Sequence, residues 1–198
     1  MNDIKLLLAS SSVYRQKILK KLRIPFECAS PDIDETVRHD ESARAYVERL
    51  AIEKAKALSE QYSDHWIIGS DQTSVLNGQI RGKPLNRDKA IQQLLQSSGE
   101  CVRFYTGLCL LQPRSGQCLS LVEEFSVHFR QLSQPEIERY IDLERPLQCA
   151  GSFMVEGLGI NLFERLEGRD ENSLIGLPLI GLTELMRRAG LEPLQLAK

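Results

Sequence analysis

Two hydrophobic periods run along the chain, and their changeovers mark the elements. Ile4–Ala9 is an apolar run that predicts a first strand. Ser10-Ser11-Ser12 then reads as a turn, with Ser12 a suitable N-cap for a helix starting at Val13. Ile18, Leu19 and Leu22 fall on one side of that helix and lysines on the other. Phe26–Ala29 predicts a second strand. From Glu41 to about Tyr62, Val47, Leu50, Ala51, Ala55 and Leu58 recur at helical spacing and predict one long helix. Trp66, Ile67 and Ile68 read as a buried strand that stops at Gly69-Ser70-Asp71-Gln72. Asn77-Gly78, between Val75/Leu76 and Ile80, predicts a tight hairpin.

Asn86 caps a predicted helix that buries Ala90, Ile91, Leu94 and Leu95 and ends near Gly99. Cys101–Gln112 and Gln117–Arg130, joined by Pro113-Arg114-Ser115-Gly116, read as an antiparallel pair. Ser133-Gln134-Pro135-Glu136 is a capping box that starts a helix to about Leu143. Residues 160–169 predict a strand and a charged turn. Pro178 opens the last expected helix, with Leu182, Leu185 and Met186 inward and Arg187 and Arg188 near its end. The tail from Leu191 is expected to be peripheral.

Composition narrows the class. At 198 residues the chain is one domain, or two small lobes around a cleft. Hydrophobic content of 42% and charged content of 26% are ordinary for a globular enzyme or binding domain. The net charge is −2 with no dominant basic block, which argues against long nucleic acid as a partner. No apolar run reaches the roughly 20 residues of a membrane span. The opening MNDIKLLLASSS lacks the character of a signal peptide. Five cysteines form no CxxC pair, so zinc or a disulfide framework is not expected. Most of them are expected to be buried and reduced, which fits the cytoplasm. His39, His65 and His128 have no ligand spacing and receive no catalytic role.

Three segments carry candidate chemistry. Trp66–Lys83 offers an acid at Asp71, an amide at Gln72 and an ammonium at Lys83. The Ser-rich turn before the first helix presents free backbone N–H groups to an anion. Arg15, a cation in a first helical turn, makes sense there if it faces phosphate. Asp32, Asp34 and Glu35 form an oxygen-rich loop of the kind that suits Mg²⁺ or Mn²⁺ together with substrate phosphates. Lys54 borders the buried stripe of the long helix and emerges at a cleft edge or snorkels to solvent. In Cys149–Gly157, small residues allow close backbone approach to a ligand, and Glu156 is aimed into a pocket or exposed. Dinucleotide and P-loop motifs both fail. Gly157-Leu158-Gly159 lacks its third glycine, and Pro84 follows Lys83 where Ser or Thr must hold Mg²⁺.

The combination resembles the Maf family of nucleoside triphosphate pyrophosphatases over nearly the whole chain. The motifs are Ala9-Ser10-Ser11-Ser12-x-x-Arg15, Asp34-Glu35-Thr36, Leu50-Ala51-x-x-Lys54-Ala55, Gly69-Ser70-Asp71-Gln72, Gly82-Lys83-Pro84, and Ala150-Gly151-Ser152-Phe153 followed by Glu156-Gly157. The resemblance implies an α/β fold with an elongated mixed sheet flanked by helices and two lobes around a deep cleft, the whole chain, 1–198, forming one such domain. It implies hydrolysis of a nucleoside triphosphate to monophosphate and pyrophosphate with a divalent cation, in the cytoplasm, by a monomer or a homodimer. Val13 and Tyr14 depart from the commonest pattern, Pro-Arg-Arg after the serine. Tyr14, Gln72 and Glu156 are similar to the branch that hydrolyses 7-methyl-GTP, which typically carries Trp in place of Tyr14.

That branch fits the chemistry of the residues. Methylation at N7 makes guanine cationic, and an aromatic face attracts a cationic ring. A carboxylate such as Glu156 matches the guanine N1–H and amino donors. The mechanism so implied is metal-assisted attack of water at the α-phosphorus, with Asp71 accepting the proton. Ser12, Arg15, Lys54 and Lys83 stabilise phosphate charge, and Glu35 helps Asp71 hold the cation. Two other readings stand beside it: a dTTP/UTP pyrophosphatase of the same family, and a nucleotide-binding regulator of cell division without turnover.

Overall fold

Strand alternation organises the first half of the protein. In a computed structural model, which describes residues 4–198, strands β1 (Leu6–Ala9), β2 (Phe26–Ala29) and β3 (Trp66–Leu76) lie side by side, β1 parallel to both neighbours. Met1–Asp3, part of the opening stretch read as unlike a signal peptide, lie outside the described residues. Further strands are β4 (Gln79–Arg81), β5 (Cys101–Gln112), β6 (Gln117–Phe129) and β7 (Phe163–Gly168). Among the described residues these seven form one mixed sheet in the order β2-β1-β3-β5-β6-β7, with β4 paired to β3. The four residues between β5 and β6 are too few for a parallel crossover, so this neighbouring pair is antiparallel. β6 and β7 are antiparallel as well. No helix among the described residues is long and apolar enough to cross a membrane.

The chain divides into two compact units. The first comprises 1–71, 106–123 and 170–198, and the second 72–105 and 124–169. In the first unit, consecutive strand residues serve opposite layers. Leu6, Leu8, Ile68, Leu108 and Leu110 pack against Ile18 and Leu19 of α1 (Val13–Leu19) and Leu182, Leu185 and Met186 of α6 (Leu179–Arg188). Leu7, Ala9, Ile67, Cys109 and Leu111 face Ala51 and Ala55 of α2 (Ala43–Ala57). A sheet buried on both faces is what near-continuous apolar runs encode. In the second unit, α3 (Arg87–Ser97) buries Ala90, Ile91 and Leu94, and α4 (Gln134–Glu144) buries Ile137, Tyr140 and Ile141. Phe153 meets Phe104, Phe129 and Phe163 edge-on there, at ring centroids 4.8–5.8 Å apart.

Several expectations are corrected. β3 does not stop at Gly69 but continues to Leu76, so Asp71 lies within the strand rather than at its tip. Ser70, Asp71, Thr73 and Ser74 are all buried. Neighbouring strands carry the ladder through polar residues, and no drop in hydropathy marks its end. The long helix is shorter at both ends. Ser42 caps it, and beyond Ala57 tighter bonds such as Ser59 N–H to the Lys56 carbonyl end it in turns.

The Pro178 helix is not the last. A short α5 (Glu171–Ile175) precedes it and α7 (Pro193–Leu196) follows. Leu191 and Pro193 are buried, so the tail is part of the first unit's apolar layer rather than peripheral. The cysteines are mostly not buried. Cys28 and Cys118 are exposed and Cys109 is buried, because alternation turns every second strand residue outward.

Candidate active site

The first unit places an ammonium between two carboxylates. Ile67, Gly69 and Asp71 share the β3 face that meets α2. Lys54, on α2, points its Nζ at Asp71 Oδ1, 2.6 Å away. The same ammonium is 2.7 Å from Glu35 Oε1, in the loop between β2 and α2. Lys54 and Asp71 are each 7% exposed, whereas the Glu35 side chain is 55% exposed. Two charges removed from water are held only where each finds a close partner. The pair thus needs the register that α2 and β3 impose on each other.

Ser70, on the opposite face, anchors the strand. Its hydroxyl donates at 2.9 Å to the carbonyls of Gly107 and Gly176. The Gly176 carbonyl also accepts from Arg15 Nε at 2.8 Å, and Arg15 Nη1 is 3.4 Å from Ser10 Oγ. One carbonyl therefore ties Arg15 to the residue before Asp71. Burial pulls the Arg15 guanidinium below its ordinary range, while the charges of Asp71 and Glu35 act in the opposite sense. Ser12 caps α1 as expected, its Oγ accepting from Arg15 N–H at 3.4 Å, and Tyr14 is half-buried in the same turn.

Asp170 sets the Gly176 carbonyl in place. One carboxylate oxygen accepts from Asn172 N–H at 2.9 Å and the other from Ile180 N–H at 2.7 Å, capping α5 and α6 together. Sequence reasoning placed Ser70 in a motif without a role and gave none to Asp170 or Gly176. An Asp N-cap and a Gly C′ bracketing Glu171–Ile175 were the available signal.

The Glu35 loop has no regular structure, and α2 holds it. Tyr46 Oη donates to the Glu35 carbonyl at 2.9 Å, and Arg49 Nη2 donates to the Thr36 carbonyl at 3.1 Å. Arg49 also grips Glu41 with a two-pronged pair, Nε–Oε1 at 2.6 Å and Nη2–Oε2 at 2.7 Å. Burial, with the charges of Asp71 and Glu35, pushes the Tyr46 phenol up to about 12, so it stays a donor. The Arg49 bond lowers Glu41 from 4.5 to about 2. A carboxyl with a depressed folded value stabilises the fold above its unfolded pKa and loses that contribution as pH falls. The melting-temperature difference between wild type and Glu41→Gln should therefore be full above pH about 4.5 and vanish toward pH about 2. A difference that does not change over that window would contradict the assignment.

Gln72, Lys83 and Glu156 belong to the second unit. Gln72 is half-buried, while Lys83 and Glu156 are exposed. The segments that carry Lys83 and Ser152 are joined by Gln93 of α3, which sequence reasoning also missed. Its Nε2 donates to the Gly82 carbonyl at 3.0 Å and its Oε1 accepts from Ser152 Oγ. Gly151, at φ 75°, passes so close to the Phe104 ring that a Cβ would lie 2.6 Å from it. The turn bearing Glu156 is pinned to α4 on both sides, by Met154 N–H to Tyr140 Oη at 3.0 Å and Leu158 N–H to Glu144 Oε2 at 2.6 Å.

Asp71 and Glu35 converge on the Lys54 ammonium, and two carboxylates are also the number that Mg²⁺-type ions take beside substrate phosphates and water. No group of three or more His, Cys, Asp or Glu suited to a metal exists among the described residues. Two carboxylates would leave the remaining positions of such an ion to substrate phosphates and water.

One known structure shares this architecture over nearly its full length. A HAM1 protein from Coxiella burnetii superposes with a TM-score of 0.51 at 13% identity, covering 93% of this chain and 99% of that one. The Staphylococcus aureus Ham1 protein gives a TM-score of 0.44 at 16% identity over 63% of this chain and 71% of that one. At such identities the likeness is one of fold. The model of Maf-like proteins matches residues 5–189. With nearly every residue of the sheet and of the segments described above inside that match, the chain belongs to the Maf-like proteins, nucleotide pyrophosphatases that hydrolyse phosphoric anhydride bonds.

Proposed function

We propose that this pyrophosphatase acts on 7-methyl-GTP, releasing 7-methyl-GMP and pyrophosphate. The observation that carries the catalytic part is the Lys54 ammonium held between Asp71 and Glu35, with Arg15 tied to the strand of Asp71. Asp71 takes the proton of the attacking water, the role a buried carboxylate beside a cation suits. Lys54 and Arg15 neutralise charge that builds on the phosphate oxygens in the transition state. Ser12 and Lys83 are assigned as further phosphate-binding donors. Asp71 and Glu35 are the residues that would hold a divalent cation, which would supply Lewis-acid polarisation there. The whole chain acts as one domain in this reading.

Specificity is assigned to Tyr14, Gln72 and Glu156. The cationic 7-methylguanine ring gains roughly 0.5–2 kcal/mol over an aromatic face. Glu156 accepts from N1–H and the amino group, and Gln72 serves a donor and an acceptor. A pyrimidine leaves these groups unpaired, which is costly in a desolvated site. The test is kcat/KM for pyrophosphate release from 7-methyl-GTP, GTP, dTTP and UTP with Mg²⁺. We expect 7-methyl-GTP to exceed the pyrimidine nucleotides by about 100-fold or more. A preference for dTTP or UTP would overturn the substrate while keeping the chemistry. Tight binding without pyrophosphate would favour the regulator.

A further inference from the structure

Glu35 sits on a long irregular loop, yet three side chains of one helix reach it. Tyr46 and Arg49 lie one turn apart on α2 and take the consecutive carbonyls of Glu35 and Thr36. Lys54, further along the same helix, takes the Glu35 carboxylate. The Arg49 guanidinium is also stacked over the Tyr46 ring, 5.6 Å from its centroid, and braced by Glu41 and by Glu53 Oε2 at 3.0 Å. Arg38, in the same loop, joins Glu53 at 2.9 Å. Inside the loop, Asp34 Oδ1 accepts from Thr36 N–H at 2.9 Å and Thr36 Oγ1 at 2.6 Å, closing a turn around Glu35.

An exposed carboxylate on a loop with no secondary structure would sample many positions without such a frame, and each costs ordering entropy on ligand binding. Here the two carbonyls that follow the Glu35 side chain are fixed to the helix that also carries Lys54. The frame thus presents the Glu35 carboxylate to the same ammonium that Asp71 contacts.

We propose that Tyr46 and Arg49 are positioning residues that hold Glu35 in place for the divalent cation and the nucleotide phosphates. The inference rests on the role given to Glu35 above. Residues of this kind, one shell outside the ligands, typically change metal affinity by 10–100-fold when removed.

The test uses Tyr46→Phe, which deletes one hydroxyl, and Arg49→Lys, which keeps the charge but not the fork. Mn²⁺ binding is measured by electron paramagnetic resonance in the presence of a non-hydrolysable nucleoside triphosphate analogue. The Mn²⁺ dependence of pyrophosphate release is measured alongside. Each variant should weaken Mn²⁺ binding about 10-fold and raise the half-saturating Mn²⁺ concentration equally, with kcat at saturation within about two-fold of wild type. In a Glu35→Gln background neither should have a further effect, because there is no carboxylate left to place. A merely structural role would lower the melting temperature without this split between metal dependence and kcat. If Arg49→Lys does not fold, Tyr46→Phe decides alone. Weak Mn²⁺ binding in Glu35→Gln together with unchanged binding in Tyr46→Phe and Arg49→Lys overturns the positioning role and leaves the assignment of Glu35 standing. Unchanged binding in Glu35→Gln overturns both.

Discussion

Asp71→Asn should lower kcat for pyrophosphate release by about 10³-fold while the protein melts within a few degrees of wild type. The expectation follows from what the amide keeps and what it loses. It is isosteric with the carboxylate, and its carbonyl oxygen still accepts from Lys54, which at 2.6 Å needs no movement to keep that bond. Lys54 also retains Glu35 at 2.7 Å, so no buried charge is stranded. What disappears is the capacity to take a proton from water, worth 10²–10⁴-fold in positioned general bases. The measurement is a steady-state assay with saturating Mg²⁺ beside a thermal melt. Near-wild-type turnover would remove Asp71 from its role and leave Glu35, on the other side of Lys54, as the acceptor to test. A collapse in melting temperature would instead assign Asp71 to holding α2 on β3.

Most of the fold was legible because its elements announce themselves locally. Ser12, Asn86 and Ser133 all cap the helices that follow them, and Asn77 and Gly78, at φ 50° and 79°, make the hairpin that their pairing predicts. Errors arose where tertiary structure overrules local pattern. The polar run Ser70–Ser74 looks like a loop from hydropathy alone and belongs to a strand, in which Ser70, Asp71, Thr73 and Ser74 are buried and Ser74 pairs with Arg81 of β4. The tail carries three leucines and a proline and looked peripheral, but Leu191 belongs to the apolar layer that also holds Leu6, Ile18, Ile68, Leu108 and Leu182.

The site divides in the same way. Residues whose chemistry is in the side chain, Lys54 and Asp71, were readable as candidates, and the structure sets them in contact. Groups that act through geometry were not. Gly176 contributes a carbonyl, Gln93 a bridge between two loops, and Tyr46 a bond to another residue's backbone. Nothing in spacing or composition distinguishes such a Tyr or Gln from one on a solvated surface. The pairing depends on which segments the topology brings together, and only coordinates supply that.

Gly69→Ala should be a severely damaging methyl addition in the first unit. A Cβ built on Gly69 lies 2.0 Å from the Ala51 carbonyl oxygen and 3.1 Å from the Ala55 nitrogen, both backbone atoms of α2. On the neighbouring strand a Cβ on Gly107 would lie 2.1 Å from the Val47 carbonyl oxygen, one turn earlier in the same helix. The two glycines form the floor on which α2 rests, so neither contact can be relieved by rotating a side chain. Restoring a normal carbon–oxygen separation needs α2 to lift by about 1 Å or more. The helix is packed on the sheet through Ala51 and Ala55, and lifting it opens that layer.

The expected cost is about 3 kcal/mol, the upper range for overpacking, or a fall of about 10 °C in melting temperature for a protein of this size. Activity should fall even well below the melting point. Lys54 follows Ala51 by one turn, and the same lift takes its ammonium from 2.6 Å to beyond hydrogen-bond range of Asp71. Gly82→Ala is the control, since nothing lies within 4 Å of its Cβ position and its backbone is not left-handed. Thermal melts of both variants with parallel pyrophosphate assays separate packing from a general effect of added methyls. Were Gly69→Ala to melt and turn over like Gly82→Ala, the close seating of α2 on β3 would not be what brings Lys54 to Asp71.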